Sequence, residues 1–290
     1  MLHLRKSTVV LGLCGLAAHA SADSLARFHT SAGDMDVQLF SQDKPVTVRN
    51  FITYARYGLY QNMFLHRCVP NFVVQGGGFA AADPTDPNVI TQLYYVPSLG
   101  AITNEYSVGK TYSNVYGTIA MAKVSGNPNS ATSQWFFNLA NNGGGTAALD
   151  TQNGGFTVFG RVLSGTNVLE QFKQLAAGGG GIVDLTSWLP NFTMFKELPV
   201  TYTGSVQPKY TDLYYVDVEL LTTQISLDVT GARVVSWTSV NGKLNTVESA
   251  DVWPPTWQTL YSIQGTGSAM SYTDANSAVS RRFYRVRVDY

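Results

Sequence analysis

Within the sixteen residues Phe64–Phe79 (FLHRCVPNFVVQGGGF) stand an arginine, a glutamine, a proline turn and a run of three glycines. Arg67 and Gln75 are the pair whose types could do chemistry. A cation and an amide side by side, next to aromatic residues, make a small site for polar recognition. Whether they meet depends on the turn. Pro70 and Asn71 both favour one. A two-residue loop would pair Val69 with Phe72 and set Arg67 opposite Val74. A three-residue loop, Pro70 to Phe72, pairs Val69 with Val73 and sets Arg67 opposite Gln75. Opposed residues share a face of the sheet, so only the second register makes a joint site, and it is the register expected.

Other chemistries are poorly provided for. The first 22 residues read as a secretory signal peptide: Arg5 and Lys6, an apolar run Val9–Ala18, and the cleavage signal Ala20-Ser21-Ala22. Leu13 stands before Cys14 where a lipoprotein would need a small residue, and the run is too short to span a membrane. Its removal takes two of the 19 basic residues and no acid, leaving a charge of about −2. One cysteine, Cys68, and two histidines, His29 and His66, remain. That excludes an intramolecular disulfide and a His- or Cys-rich metal site. Serine hydrolase and metalloenzyme chemistry fit poorly, no cofactor is expected, and the balanced charge gives no reason to expect nucleic acid as a partner. Charged residues are 13%, against a usual share of about 25%. The expectation is an exported chain (periplasm, envelope or secreted) with no stable membrane insertion.

The elements that must position Arg67 and Gln75 are mainly strands. Leu25–Phe28 and Met35–Phe40 alternate around a Ser-Ala-Gly-Asp turn. Pro45 suits the first turn of a helix; Val48, Phe51, Ile52 and Ala55 continue it at helical spacing to Tyr57, before Gly58. Residues 80–112 are irregular. Gly117–Lys123, Gln134–Leu139, Phe156–Leu163 and Leu213–Leu221 read as strands. Val168, Leu169, Phe172 and Leu175 predict a second helix over Thr166–Ala176. The pattern over 23–221 fits a closed β-barrel with helices over its ends. Residues 222–290 differ: short strands Val234–Trp237, Leu244–Glu248, Trp257–Ile263 and Arg282–Val288, with Trp237, Trp253, Trp257, Tyr272 and Phe283 as core bulk. They suggest a small β-sandwich of the fibronectin type III sort.

Four segments together carry a resemblance to a known family. LHRCVPNFVVQGGGF resembles the cyclophilin motif FHR-x-x-P-x-F-x-x-QGG-x-F. Gly117–Ala122 (GTIAMA) resembles the family's G-x-x-x-MA strand, Thr132–Phe137 (TSQWFF) its G-S-Q-F-F run, and Phe156–Val162 (FTVFGRV) its x-V-V-F-G-x-V segment. The order matches too. The resemblance implies an eight-stranded barrel with two capping helices and peptidyl-prolyl cis–trans isomerase activity. It does not reach the C-terminal residues.

That activity needs neither nucleophile nor metal. The barrier to amide rotation, about 18–20 kcal/mol, comes from resonance in the C–N bond. A donor that meets the proline nitrogen as it regains its lone pair acts more strongly on the twisted amide than on the planar one, which is the condition for catalysis. By resemblance, Arg67 is that donor and Gln75 binds the peptide carbonyl and steadies the arginine. Phe72, Val73, Phe136 and Leu149 match the proline pocket, and Phe156 its wall. Ala122, Lys123 and Gln134 match the peptide groove, Lys123 through its backbone. Trp135 and Phe137 are expected in the core, and His66 as an interior residue on the opposite face from Arg67.

Two departures stand out. Ala148 replaces a tryptophan common in the family, which implies weak cyclosporin binding, and Phe156 stands where many members carry histidine. The Asn141–Gly155 loop is also longer. The leading reading is an isomerase acting on X–Pro bonds of exported proteins. The runner-up is a non-catalytic module that holds Pro-containing peptides, tethered by its C-terminal domain.

Overall fold

The computed structural model describes residues 24–175, 181–191, 193–204, 206–276, 279 and 281–289. The predicted signal peptide, 1–22, lies outside them. The protein is mainly β, with two α-helices among the described residues. The antiparallel strands β1 (Ser24–Thr30) and β2 (Gly33–Leu39) lead into α1 (Pro45–Arg56). Then follow β3 (Met63–Phe64), β4 (Arg67–Val69), β5 (Val73–Gly76), β6 (Phe79–Ala80), β7 (Tyr94–Tyr95), β8 (Thr118–Met121), β9 (Trp135–Asn138) and β10 (Val158–Ser164). After α2 (Thr166–Lys173) come the short pair β11 (Ile182–Val183) and β12 (Leu198–Pro199), then β13 (Tyr215–Leu221). Except for β11 and β12 these strands form one curled eleven-stranded sheet in the order β4-β5-β9-β8-β10-β2-β1-β13-β3-β6-β7.

The expected elements stand, with shifted ends. Helix α1 stops at Arg56, and α2 at Lys173; Ala176 lies outside the described residues. The irregular stretch 80–112 contributes a two-residue strand at Tyr94–Tyr95. Helix α1 has no side-chain cap of its own. Its orphan N–H groups at Val46 and Thr47 are met by the Glu105 carboxylate at 3.1 and 2.7 Å, which also suits the positive end of the helix dipole. The buried Lys44 ammonium in turn donates to the carbonyls of Glu105, Tyr106 and Val108. The long connection is thereby pinned to the helix it caps.

Alternation decides the interior. Trp135 and Phe137 point inward and are fully buried, as expected, and Phe28 lies edge-on to both with ring centroids 5.1 Å apart. The glycine run serves this packing. A Cβ on Gly76 would stand 2.6 Å from the Trp135 ring, and Gly77, at φ +79°, would press one onto the Ser133 carbonyl at 2.5 Å.

The C-terminal residues form two three-stranded sheets. One contains β14 (Thr223–Leu227), β15 (Arg233–Thr238) and β18 (Ala269–Asp274). The other contains β16 (Leu244–Ala250), β17 (Gln258–Gln264) and β19 (Phe283–Asp289). Val235 and Trp237 from the first sheet and Val247 from the second share one buried cluster, with Met270, Tyr272, Leu260 and Ile263 against it. The expected core bulk is corrected in part. Trp253 is 43% exposed, with Phe283 packed against it at 5.7 Å, and Trp257 lies under the Arg285 guanidinium at 4.4 Å. These three rings are outside the cluster, because they lie at strand ends or beyond them. The two regions touch through Arg27. Paired with Asp36 on the neighbouring strand β2, it donates to the carbonyls of Gly267 at 2.6 Å and Ser239 at 3.1 Å.

Candidate functional site

The hairpin has the three-residue loop: Val69 pairs with Val73, Cys68 with Val74 and Arg67 with Gln75. Asn71 supplies the left-handed turn residue at φ +58°, a conformation asparagine tolerates better than most. The row extends across the sheet, for Gln75 faces Phe136 and Phe136 faces Ala120. Directly opposed residues share a face, so the cation, the amide and the apolar floor are aligned across four strands, β4, β5, β9 and β8.

The expected pocket residues come together. Val73, Phe136 and Leu149 form a buried cluster with Phe40, Ala120 and Val158, and Phe72, Ala122, Phe156 and Tyr112 pack on it. Phe136 and Phe156 meet edge to face at 5.9 Å. Sequence reasoning missed Phe40, Ala120, Val158 and Tyr112. Ala120 and Val158 could have been found by stepping two residues along strands already named; Tyr112 carried no such signal. The long loop folds into the site. Asn142 donates to the Phe72 carbonyl at 2.7 Å, and the Phe156 N–H to the Leu149 carbonyl at 2.8 Å. Ala148 sits there at φ +44°.

The polar side chains of the site have protein partners of their own. Gln75 Nε2 donates to Gln134 Oε1 at 2.8 Å. Arg67 Nε meets Glu197 Oε2 at 2.7 Å, with the two side chains 32% and 41% exposed. Among the described residues the arginine's ion-pair partner is Glu197, a residue that sequence reasoning did not single out. The Lys123 side chain is tied into the long loop: Nζ donates to the carbonyls of Asn153 and Gly155 at 2.8 and 2.7 Å and lies 4.6 Å from the centre of the Phe156 ring. Burial pushes its ammonium down to about 8.

Two nearby groups are removed from contention. His66 is buried beside Phe79 and Phe195, and burial, then the Arg67 charge, push it down to about 3, so it stays neutral. Burial pushes the Cys68 thiol up to about 12, so almost no thiolate exists near neutrality. No group of three or more His, Cys, Asp or Glu that could hold a metal occurs among the described residues, and no helix there is long and apolar enough to cross a membrane.

Comparison with known proteins places this geometry. Residues 25–186 match the family model described as cyclophilin type peptidyl-prolyl cis-trans isomerase/CLD. A peptidyl-prolyl cis-trans isomerase of Acinetobacter baylyi is 33% identical over 179 residues, 62% of this chain and 87% of the relative. Peptidyl-prolyl cis-trans isomerase B of Escherichia coli is 35% identical over 54% of this chain and 89% of its own length. A Cryptosporidium parvum cyclophilin-type isomerase, solved in the presence of the dipeptide Ala-Pro, aligns at 18% identity over 68% of this chain and 99% of its own, with a TM-score of 0.44. With its matched segment spanning more than half its length, the chain belongs to the cyclophilin-type peptidyl-prolyl cis–trans isomerase family.

Proposed function

We propose that this protein catalyses cis–trans isomerisation of X–Pro bonds in exported proteins, with Arg67 donating to the prolyl nitrogen. One observation carries the reading: Arg67, Gln75, Phe136 and Ala120 are successive cross-strand partners, so a cation and an apolar pocket share one face. The proline ring rests among Val73, Phe136 and Leu149. The second N–H of the Gln75 amide serves the peptide carbonyl, its first being given to Gln134. As the amide twists, its nitrogen lone pair localises and becomes a better acceptor. The guanidinium therefore binds the twisted state more tightly than either planar isomer. Arg67→Ala should abolish most of the rate in a coupled proline-isomerisation assay, and wild-type activity no greater than the variant's would refute the proposal. Cyclosporin should inhibit only weakly in the same assay, because Ala148 brings no indole to the pocket wall.

The same reading takes the main sheet as a closed eight-stranded barrel. In its support, β3 and β4 are two ends of one run, Met63–Val69. Across the gap Leu65 N–H donates to Tyr214 and His66 N–H to Gln75. It takes the C-terminal sheets as a β-sandwich, on the strength of their shared cluster. Export rests on the secretory signature of residues 1–22; a mature N-terminus at Asp23, found by mass spectrometry, is its check.

A further inference from the structure

We infer that Glu197 is a positioning residue for Arg67. The inference rests on the reading of Arg67 as the group that meets the prolyl nitrogen. Glu197 lies past residue 186, where the family match ends. Its carboxylate reaches Arg67 Nε at 2.7 Å.

The backbone that carries it is fixed. The Glu197 carbonyl accepts from the Cys68 N–H at 2.7 Å, so the segment lies alongside β4 at the residue next to Arg67. The following residues, Leu198 and Pro199, pair with Val183 and Ile182. Phe195 and Leu198, on either side, are fully buried with Phe64 and Phe79. A carboxylate on such a segment is a fixed point against which a long, many-jointed side chain can be oriented.

The choice of atom suits the task. A guanidinium has five N–H donors in a rigid fork. Glu197 forms its ion pair from the Nε side, and among the described residues no hydrogen bond engages the two terminal nitrogens. They are left to face the peptide. Gln75, directly across the strand, gives one amide N–H to Gln134, and no hydrogen bond joins it to Arg67 among the described residues. The carboxylate also offsets part of the positive field on Arg67. About a third of each side chain is open to water, which screens that loss, whereas misplacing a catalytic group by an ångström can cost about a hundredfold in rate. Orientation outweighs field.

The test uses the full-length protein and an Ala-Pro-containing peptide, with kcat and KM from NMR exchange measurements. Glu197→Ala should lower kcat about tenfold and leave KM within about twofold, while Glu197→Gln, which keeps an acceptor oxygen at the same reach, should recover most of the loss. The Arg67 Nε–H resonance should move and exchange faster with water in the alanine variant, a readout independent of activity. A Glu197→Ala enzyme with wild-type kcat, or with its loss confined to KM, overturns the inference. If Arg67→Ala itself keeps wild-type activity, the failure belongs to the reading of Arg67.

Discussion

The curled sheet and the C-terminal sheets solve the same problem with different materials. The interior of the curled sheet is a continuous aromatic mass: Phe28, Phe51, Tyr60, Trp135, Phe137 and Phe159 are all buried and meet ring to ring. The C-terminal sheets bury few large side chains, chiefly Trp237, and tie their strands with arginines instead. Arg282 joins Asp251 at 2.7 Å and the buried Asp274 at 2.8 Å, and Tyr284 donates to the same Asp274 oxygen. Glu248, also buried, receives Arg285 at 2.6 Å and Arg287 at 3.1 Å. Two thin sheets cannot assemble a core like that of the curled sheet, since small units bury a smaller share of their surface. Ion pairs fix strand register where packing has less to offer, but such pairs are costly to break one-sidedly.

The largest effect should come from breaking one of them. Asp274→Ala leaves the Arg282 guanidinium buried with half its partners and should destabilise the C-terminal sheets by about 3–5 kcal/mol. Denaturant unfolding followed by tryptophan emission measures this, and isomerase activity should persist. Parallel loss of activity would mean that the two regions are not held separately. Arg67→Ala is the converse case. It should cost roughly 10²–10³ in kcat/KM, or about 2.7–4 kcal/mol of transition-state binding. As a part-exposed residue on a strand, its loss should move the unfolding midpoint little.

Acid should sharpen the contrast further. His66 takes up a proton only near pH 3 when folded, but near its ordinary value of 6.5 when unfolded. Between these values the unfolded chain binds the extra proton, so the stability of the curled-sheet region falls as pH falls, by up to about 1.4 kcal/mol per pH unit. The C-terminal sheets behave otherwise. Burial pushes the Asp274 carboxyl up, but hydrogen bonds from Arg282 and Tyr284 push harder the other way, and the net shift is down. Its contribution is present above the ordinary carboxylate value and is lost only as pH falls below that. Unfolding curves at pH 7, 5.5 and 4 should therefore show the curled-sheet region weakening first. His66→Phe should flatten that slope, and an unchanged slope would exclude His66 as its source.

Much of the site was legible because it is built from local rules. The Arg67–Gln75 register follows from a turn of three residues and a period of two, and the outward face of Phe136 from the same alternation that buries Trp135 and Phe137. Glu197 was not legible. It reaches Arg67 across 130 positions, just before a two-residue strand with no periodic pattern, in a stretch that reads as loop. The strand Thr223–Leu227 was missed because its alternation is short, Ile225 and Leu227 alone, and both side chains are exposed rather than packed on a core. Trp253, Trp257 and Phe283 were placed in the core by residue type alone, and type does not say which side of a thin sheet a ring will take.

The junction at Thr222 has a mechanical meaning. Strand β13 of the curled sheet ends at Leu221 and β14 begins at Thr223, so one residue joins the two regions while Arg27 clamps them from the side. There is no slack to act as a leash. Whatever grips the C-terminal sheets also turns the curled sheet. Tension on the C-terminal sheets passes into β13 through a single residue and into β1 through Arg27, and the face that carries Arg67 moves with them, like a tool on a rigid handle.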